Sequence, residues 1–525
     1  MTSRTNSKVV HPSYAAMAPL WEFMQDSYEG DSAIKSAGFK YLPPTAGQVI
    51  DGAKDTVAKP ESNVGLASYI AMRDRAVFPD FVEEGVNTTV GILNSKPPVV
   101  KVPKGMEAML KKFTANNESL ETALRKIHEL QLVKARVGLF IDMPVVLAPD
   151  HQLPYIALYK AEDIINWDTG ETEDKVDKLN LVVLEEEEKT RSGFNWTTKP
   201  RFRVLILGTS QANENNGTDS TVTYKYAVTP DGNSMPMDDE FKVAKIQGRA
   251  LNEIPFVFVG ARDLSPEPDR PPMLPLARLC HTIYKGEADY RTNLYMQGQE
   301  TLVIVGGVTN NQNSENQESV RVGAGARIDV GIGGDAKYVG VSAAGLSEQR
   351  ICLDTDKKHA AVLTGQLLQP GKSSLESGES LKTRMAAQTA TLSQIAKTSC
   401  AALETILKIV ARWKGLPEDE VKVEPNLDFV NATIQGQDLV QLQTAKNLGF
   451  PISAKSLHNA AAERGLTKMT FDEEMKALED DPEILKTVAE NTSGSLTGNN
   501  PVQSAGGGKK PPANDKTGAG NQPSK

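Results

Sequence analysis

The sequence has few of the features on which secreted proteins and membrane proteins depend. It contains three cysteines in 525 residues, and Cys280, Cys352 and Cys400 lie too far apart to form a CxxC motif. No stretch approaches ~18 uninterrupted apolar residues, and the first residues lack the apolar run and the cleavage site of a secretory signal. We therefore expect reduced, buried cysteines, no membrane span and a reducing cytoplasm as the compartment of synthesis.

An excess of positive charge is also missing. The formal net charge is -9 at pH 7, and the isoelectric point is about 5.5. This balance argues against a protein that neutralises many phosphates over its whole surface. An acidic protein can still contact DNA loosely.

Motifs for nucleotide binding and catalysis are absent from the sequence. The glycine-rich segment GAGARIDVGIGGD has Ile328 where the third glycine of GxGxxG belongs, so we interpret it as a hairpin. No Walker lysine, HExxH pair or GxSxG elbow occurs, and the six histidines are scattered. The sequence predicts no enzymatic activity, no cofactor and no metal site.

One acidic run allows two interpretations. Glu185–Glu188 could supply metal ligands to a nucleic-acid-processing enzyme, which a metal-dependent nuclease assay would reveal. Charged side chains also protect the edges of exposed strands. We interpret the run as a solvated strand edge or hairpin flank.

The length and the residue patterns predict an α+β protein of two to four structural units. Apolar spacing typical of helices occurs over Ser13–Gly30, from Ser62 with a break at Pro79 to an end at Pro97 and Pro98, and over Glu118–Val137. Short extended runs separated by turn residues follow between Lys178 and Phe258. This order indicates helices first and an antiparallel sheet afterwards.

A small β module interrupts a pair of helices in the second half of the chain. Helical spacing covers Leu274–Gln299 and then Leu346–Leu368. Between them, TLVIVGG, ARIDVGI and AKYVGVS read as short strands around a polar loop. A helix, a small β module and a second helix form an unusual insertion.

A polar loop and a long helix come next. The loop PGKSSLESGES contains Ser377, which can cap the long helix that continues over Leu381–Lys414, a span of ~50 Å at ~1.5 Å per residue. Six basic residues and Glu404 give this helix a net charge of +5, because 6 - 1 = 5. Its last basic residues either stabilise the C-terminus of the helix or pair with acidic residues of a neighbouring copy. Short helices are expected over Asp438–Leu485, and the Gly- and Pro-rich remainder is expected to be disordered.

Three segments give the sequence a specific resemblance. They are YIAMRDRAVFPDFVEEGVNTTVGILNSKPP, ADYRTNLYMQGQETLVIVGG and LESGESLKTRMAAQTATLSQIAKTSCAALETILKIVARWKG, and they follow a WEFMQDSYEG...FKYLPP opening. In this order, over nearly the whole chain, they resemble tailed-bacteriophage portal proteins, the dodecameric head-to-tail connectors.

The resemblance implies a portal fold with named regions. Laid on this sequence, these are a wing over 1–272, stem helix 1 over 273–299, a clip over 300–344, stem helix 2 over 345–369, a tunnel loop over 370–380, a long tunnel helix over 381–415, a wing return strand over 416–437, a helical crown over 438–488 and a disordered tail over 489–525.

The resemblance also implies candidate functional residues. In a ring, the tunnel loop and adjacent helix would form a collar of mixed charge that contacts passing phosphates without reading sequence. The collar residues are Lys372, Ser373, Ser374, Glu376, Ser377, Glu379, Lys382 and Arg384. The clip residues that would meet the motor or an adaptor are Arg321, Arg327, Asp329 and Lys337. The alternative interpretation of the collar is a capped helix start that faces solvent.

The implied partners are those of a capsid vertex. They are further copies of the chain, twelve in a ring, double-stranded DNA bound non-specifically, the terminase large subunit, the major capsid and scaffolding proteins, and a tail or head-completion adaptor. The protein would be located in the virion after assembly in the host cytoplasm. A different class remains open, namely a head-tail adaptor or scaffold that does not conduct DNA.

Overall fold

A computed structural model describes much of the chain. The described residues are 8–54, 59–142, 154–170, 178–210, 221–230, 236, 240–246, 248–298, 301–305, 333–339, 345–364, 378–427, 429, 444, 448, 450–462, 467 and 469–479. The chain divides into two compact units, Met1–Phe429 and Val430–Lys525.

Helices form the first part of the first unit and return in its second half. They are α1 Pro12–Glu29, α2 Asp31–Ala37, α3 Ala46–Ile50, α4 Val64–Arg75, α5 Phe81–Leu93, α6 Glu107–Lys111, α7 Leu120–Lys134, α8 Leu274–Gln297, α9 Leu346–Leu363 and α10 Gly378–Lys414.

Local signals explain where several of these helices begin and end. Pro79 separates α4 from α5, as the sequence predicts, because proline cannot continue the hydrogen-bonded ladder of a helix. Helix α7 begins where the Ser119 hydroxyl accepts a hydrogen bond from the Thr122 amide, at 3.3 Å. It ends at Ala135, whose φ of 58° is left-handed. The chain then turns directly into a buried strand.

Within the described residues, the strands pair antiparallel in five sheets. They are β1 Val99–Lys101, β2 Arg136–Asp142, β3 Tyr155–Lys160, β4 Ile164–Gly170, β5 Lys178–Ser192, β6 Asn195–Ser210, β7 Thr221–Thr229, β8 Lys242–Val243, β9 Lys245–Ile246, β10 Arg249–Ala250, β11 Phe256–Gly260, β12 Thr301–Val305, β13 Asp335–Val339 and β14 Lys422–Glu424. The two larger sheets have the orders β11-β2-β3 and β4-β5-β6-β7-β8. The α+β prediction is confirmed.

The interpretation of the glutamate run as a solvated strand edge or hairpin flank is confirmed, and Glu186 is the one member that is partly buried. Strand β5 pairs with β4 only as far as Leu184, so Glu185–Glu188 pair with β6 on one side alone. Glu186 accepts hydrogen bonds from Tyr159 at 2.6 Å, from Arg201 at 2.6 Å and from Arg203 at 2.7 Å. Burial alone would raise the pKa of Glu186, but Arg203, Tyr159 and Arg201 outweigh it and hold the pKa below its ordinary value. Glu185, Glu187 and Glu188 are exposed.

Two large hydrophobic clusters hold the first unit together. One lies between the two larger sheets, α7 and the C-terminal half of α10, and includes the fully buried Ile406 and Val410. The other joins the N-terminal helices to the first half of α8, and includes Met24 and Ile283. Helix α10 contributes to both clusters, because Ile395 belongs to the second.

The cysteines depart in one case from the expectation of burial. Cys280 and Cys400 are buried, whereas Cys352 is exposed on α9. The expectation for Cys352 is therefore wrong, because only one side of α9 packs on the rest of the chain. Among the described residues, no helix combines the length and the apolar character that a membrane crossing requires.

Two buried histidines lie among the helices. His128 on α7 contacts Ser399 on α10, 2.9 Å from Nε2 to Oγ, and Asn94 after α5, 3.0 Å from Nδ1 to Nδ2. His281 on α8 lies 3.0 Å from the Ser27 hydroxyl of α1. Burial lowers the pKa of both histidines to about 4.

Acid is expected to destabilise the first unit through these histidines. Their folded pKa of about 4 lies below the ordinary 6.5, so the unfolded chain binds more protons between these pH values. The contribution of each neutral histidine to the free energy of unfolding is complete above pH 6.5 and is lost as the pH falls toward 4. For His128 this contribution is about 3 kcal/mol. Urea unfolding at pH 7 and pH 4.5 measures this difference.

A matched pair of variants assigns the effect to His128. His128→Gln should flatten the dependence of unfolding free energy on pH, whereas His359→Gln, at an exposed position, should retain the wild-type dependence. Equal slopes for wild type and His128→Gln would contradict the assignment.

The second unit contains two short described helices, α11 Ala454–Ala462 and α12 Phe471–Glu479. They fall within the range where the sequence predicts short helices. The Ser453 hydroxyl caps α11 by accepting from the Ser456 amide at 3.0 Å, and Thr470 caps α12. His458 and Phe471 contact each other edge to face, which joins the two helices.

Candidate functional site: a two-helix arm and the long helix after it

Helix α8 changes its environment along its length. Its first half carries buried residues as far as Ala288. From Asp289 onward no residue of α8 is buried, and Leu294, Tyr295 and Met296 are 50%, 41% and 49% exposed. The second half therefore projects from the core. We call α8, β12, β13 and α9 the arm.

Helix α9 runs back antiparallel to α8 at close range. Asn293 of α8 donates to the Gln349 amide oxygen at 3.3 Å, while Gly286, nearer the start of α8, faces Leu353. A Cβ atom on Gly286 would lie 2.9 Å from the Leu353 side chain. Glycine at this position allows the two helices to approach closely.

A buried carboxylate joins the two helices. Glu287 of α8 accepts a hydrogen bond from Lys357 of α9 at 2.6 Å and also pairs with Arg291 one turn along its own helix. Its side chain is 5% exposed. Although burial raises it, the pKa of Glu287 is held below its ordinary value by Lys357 and Arg291. This pair of contacts fixes the register of α8 against α9.

The outward face of α9 is mostly polar and charged, but it also carries three large apolar side chains that the described residues leave partly uncovered. Leu353 and Ala360 face inward and are buried. Ile351, Val362 and Leu363 are 52%, 41% and 41% exposed. An isolated subunit therefore leaves one side of its arm partly apolar and in water.

The strand pair lies between the two arm helices. Strands β12 and β13 are antiparallel, with Thr301 opposite Val339 and Val305 opposite Asp335. Lys337, one of the predicted clip residues, lies opposite Val303 and is exposed. The other three, Arg321, Arg327 and Asp329, lie outside the described residues. The segment ARIDVGI, predicted as a strand, lies outside them as well.

The collar residues are described only in part. Glu379, Lys382 and Arg384 lie in the first two turns of α10, whose backbone is helical from Gly378. The structure describes the backbone of these three residues but not their side chains. Lys372, Ser373, Ser374, Glu376 and Ser377 lie outside the described residues. The predicted collar therefore stays a prediction.

The basic residues at the end of α10 have partners within the same subunit. Lys408 pairs with Glu404 at 2.6 Å, and Arg412 pairs with Glu253 and Glu418. Lys414 donates to the Gly105 carbonyl at 3.1 Å. Lys408 and Arg412 therefore pair with carboxylates of their own chain, which neither sequence-based alternative named, and pairing with a neighbouring copy stays a prediction.

Sequence patterns do not single out the residues that shape the arm. Glu287, Lys357 and Gly286 become significant only when α8 and α9 lie side by side. The signal available in the sequence is a charged residue within an apolar helical stripe. No group of three or more His, Cys, Asp and Glu side chains in the described part of the chain could hold a metal ion.

One family profile matches the part of the chain that contains the arm and the long helix. Residues 272–414 match the profile of a family described as Domain of unknown function (DUF4055). The matched stretch begins just before α8 and ends with α10, so it contains the arm and the long helix. No curated protein matches the chain.

Three solved chains are similar to this one over 81% of its length, each at 13% identity. One is from the virion of a native gene transfer agent particle, with a TM-score of 0.39 and 99% of that chain covered. The others are from the neck of the empty particle computed with C6 symmetry, with a TM-score of 0.40 and 100% coverage, and from the neck of the native particle computed with C12 symmetry, with 0.37 and 98%.

Proposed function

We propose that the chain is the repeating subunit of a ring-shaped portal, a passive channel at a capsid vertex through which double-stranded DNA is packaged and ejected. The observation that carries the proposal is the arm, two antiparallel helices that leave the core, carry a strand pair and lead into a helix of 37 residues. A monomer gains nothing from such an extension. A ring of arms surrounds a channel.

The exposed apolar residues of the arm support assembly into a ring. Ile351, Val362 and Leu294 are partly exposed in one subunit, and covering them with a neighbouring arm removes apolar surface from water. When one face of a subunit binds a different face of the next copy, the subunits add head to tail. They close into a ring when the rotation between neighbouring subunits divides a full turn evenly. The resemblance gives twelve copies.

The charge of the chain suits a channel through which DNA slides. Duplex DNA carries one charge per ~1.7 Å, and every neutralised phosphate adds affinity by releasing counterions. A uniformly basic bore would hold DNA in place. In the collar, the charges of Glu376 and Glu379 would partly cancel those of Lys372, Lys382 and Arg384. Twelve copies would repeat this mixed set of charges at one height of the channel, so the collar would attract DNA only weakly.

The partners follow from this position. The strand pair with Lys337 would face the terminase large subunit during packaging and a tail or head-completion adaptor afterwards. The first unit would contact the major capsid and scaffolding proteins. The protein would act without a catalytic residue, cofactor or metal, because the motor supplies the work.

Threading of DNA through the assembled ring tests the proposal. Linear duplex is incubated with the assembled protein, both ends are blocked with biotin–streptavidin, and the complex is washed at rising salt. Phosphate contacts weaken steeply with salt, whereas a ring threaded on blocked DNA cannot leave. The proposal predicts salt-resistant retention on blocked linear duplex and none on closed circles.

The collar variant refines the same assay. Replacing Lys372, Lys382 and Arg384 by alanine should preserve threading and lower the salt dependence of retention on unblocked duplex, by about one unit of slope for each phosphate that is no longer neutralised. An unchanged slope rejects DNA contact by these residues. Equal, salt-sensitive retention on linear and circular DNA by the unmodified protein would favour the alternative, an adaptor or scaffold that does not conduct DNA.

A further inference from the structure

The hairpin of β5 and β6 extends far beyond the sheet to which it belongs. Its paired strands continue from Glu187 opposite Pro200 to Ser192 opposite Asn195, roughly 17 Å at about 3.4 Å per residue. Every residue from 187 to 200 is exposed. We call this segment the finger.

The tip of the finger carries two large aromatic side chains. Phe194 is 96% exposed and Trp196 is 64% exposed. Gly193, with a φ of 62°, forms the two-residue turn that places Phe194 at the end. Neither ring is needed for packing within the described part of the chain, and a rigid hairpin with an apolar tip is typical of a contact surface.

An apolar pocket of about 500 Å³ lies elsewhere in the same unit. Residues Leu130, Ile156, Ala157 and Leu158 form its apolar wall, and Ala115 lies at its rim. Strand β3, which contributes three of the wall residues, is the last strand of its sheet. On its outer side the described residues give it only the isolated bridge from Thr114 to Ile156. We call this the edge pocket.

One charge on the finger is complementary to one of the four charged residues that line the edge pocket, Glu118, Lys126, Glu129 and Lys160. Lys189 pairs with Glu187 on the finger, and Lys126 pairs with Glu118 beside the pocket. Arg191, opposite Trp196, donates to the Gly193 carbonyl at 2.7 Å and has no carboxylate partner among the described residues. Glu129 at the pocket accepts from the neutral Tyr28 hydroxyl at 3.2 Å.

We infer that the finger of one subunit inserts Phe194 and Trp196 into the edge pocket of the next subunit, with Arg191 facing Glu129. The exposure of Phe194 shows that no described residue of its own chain covers it. Each copy presents one finger and one pocket, so the contact is head-to-tail and saturates only when a ring closes. The inference rests on the proposed ring, for which it names a subunit contact.

Cysteine pairing tests this contact. In a Cys352→Ser background, which removes the exposed native thiol, Phe194→Cys and Ala115→Cys are combined in one chain. Mild oxidation should give a ladder of disulfide-linked multimers that collapses on reduction. Lys199→Cys with Ala115→Cys, which moves the thiol from the tip to the base of the finger, is the matched control and should give no ladder.

Mixing separates a head-to-tail contact from a symmetric one. Chains with Phe194→Cys alone and chains with Ala115→Cys alone should each remain unlinked, and their mixture should give dimers only. A disulfide between two Phe194→Cys chains would overturn the inference in favour of tip-to-tip pairing.

Particle mass, measured on the same samples, distinguishes the two proposals. Rings without a Phe194→Cys/Ala115→Cys ladder overturn the finger contact and leave the portal proposal standing. A ladder in open chains that never close supports the contact and counts against the portal. Unlinked monomers at high concentration contradict both.

Discussion

Replacement of Trp413 by alanine is expected to lower the free energy of unfolding of the first unit by about 3–5 kcal/mol. Trp413 lies in the last turn of α10, is 2% exposed and belongs to the larger hydrophobic cluster. Its indole nitrogen donates to the Arg249 carbonyl at 3.0 Å. Truncation leaves a cavity and an unpaired carbonyl, and domains are stable by only about 5–15 kcal/mol in total. Urea unfolding followed by far-ultraviolet circular dichroism, which does not depend on tryptophan fluorescence, measures the change.

The chain provides a matched control in Trp196. It is the same residue type at a position that is 64% exposed in a single subunit, so Trp196→Ala, measured on unassembled subunits, should change the unfolding free energy by no more than about 0.5 kcal/mol. Destabilisation of similar size in both variants would contradict the assignment of Trp413 to the core.

Replacement of Gly286 by phenylalanine is expected to reduce ring assembly by about tenfold or more while the rest of the first unit remains folded. A Cβ at this position already lies 2.9 Å from the Leu353 side chain, so a phenyl ring forces α9 away from α8. Overpacking of this kind costs about 1–3 kcal/mol, and every 1.4 kcal/mol changes an association constant about tenfold. The fraction of protein in rings, measured by mass photometry, should fall by about tenfold or more.

Lys285→Phe introduces the same side chain one residue earlier, at an exposed position. It should leave the ring fraction near that of the unmodified protein. Unchanged assembly of the Gly286→Phe variant, with its circular dichroism spectrum preserved, would show that the close approach of α8 and α9 is not needed for the ring.

Much of the secondary structure follows from local signals. The sequence predicts the helix that begins at Leu274, and the structure ends it at Gln297 instead of Gln299. The second arm helix begins at Leu346 as predicted and ends at Leu363, before the expected Leu368. Apolar spacing identifies such helices well, whereas their ends depend on weak terminal contacts. The short helix α2, Asp31–Ala37, is missed because seven residues carry too little periodicity.

Features that depend on tertiary contacts could not be read from the sequence. Glu186 looks like one of four similar glutamates, and only the neighbouring strand places Arg201 and Arg203 beside it. Cys352 occupies a helix like the other two cysteines, but its side of α9 faces solvent. The sequence predicts a hairpin flank at the glutamate run, but the length of the finger depends on where β4 and β7 stop pairing with β5 and β6.

The candidate site was predicted in outline from the sequence. The order of helix, strand pair, helix and long helix was expected and is present. Of the clip residues, Lys337 is exposed on β13, and its docking role stays a prediction. The collar remains a prediction, because its charges act together only where several copies meet. How several copies meet can be inferred from one sequence only through its resemblance to a known family.

The mass and projected shape of the purified full-length protein test the central claim most directly. Native mass spectrometry gives the number of copies, and negatively stained top views show whether the centre is open. A portal predicts a particle of about twelve times the 56.8 kDa chain mass, with a continuous axial hole wide enough for a DNA duplex. A chain that remains monomeric at high concentration, or an assembly with a sealed centre, would contradict it.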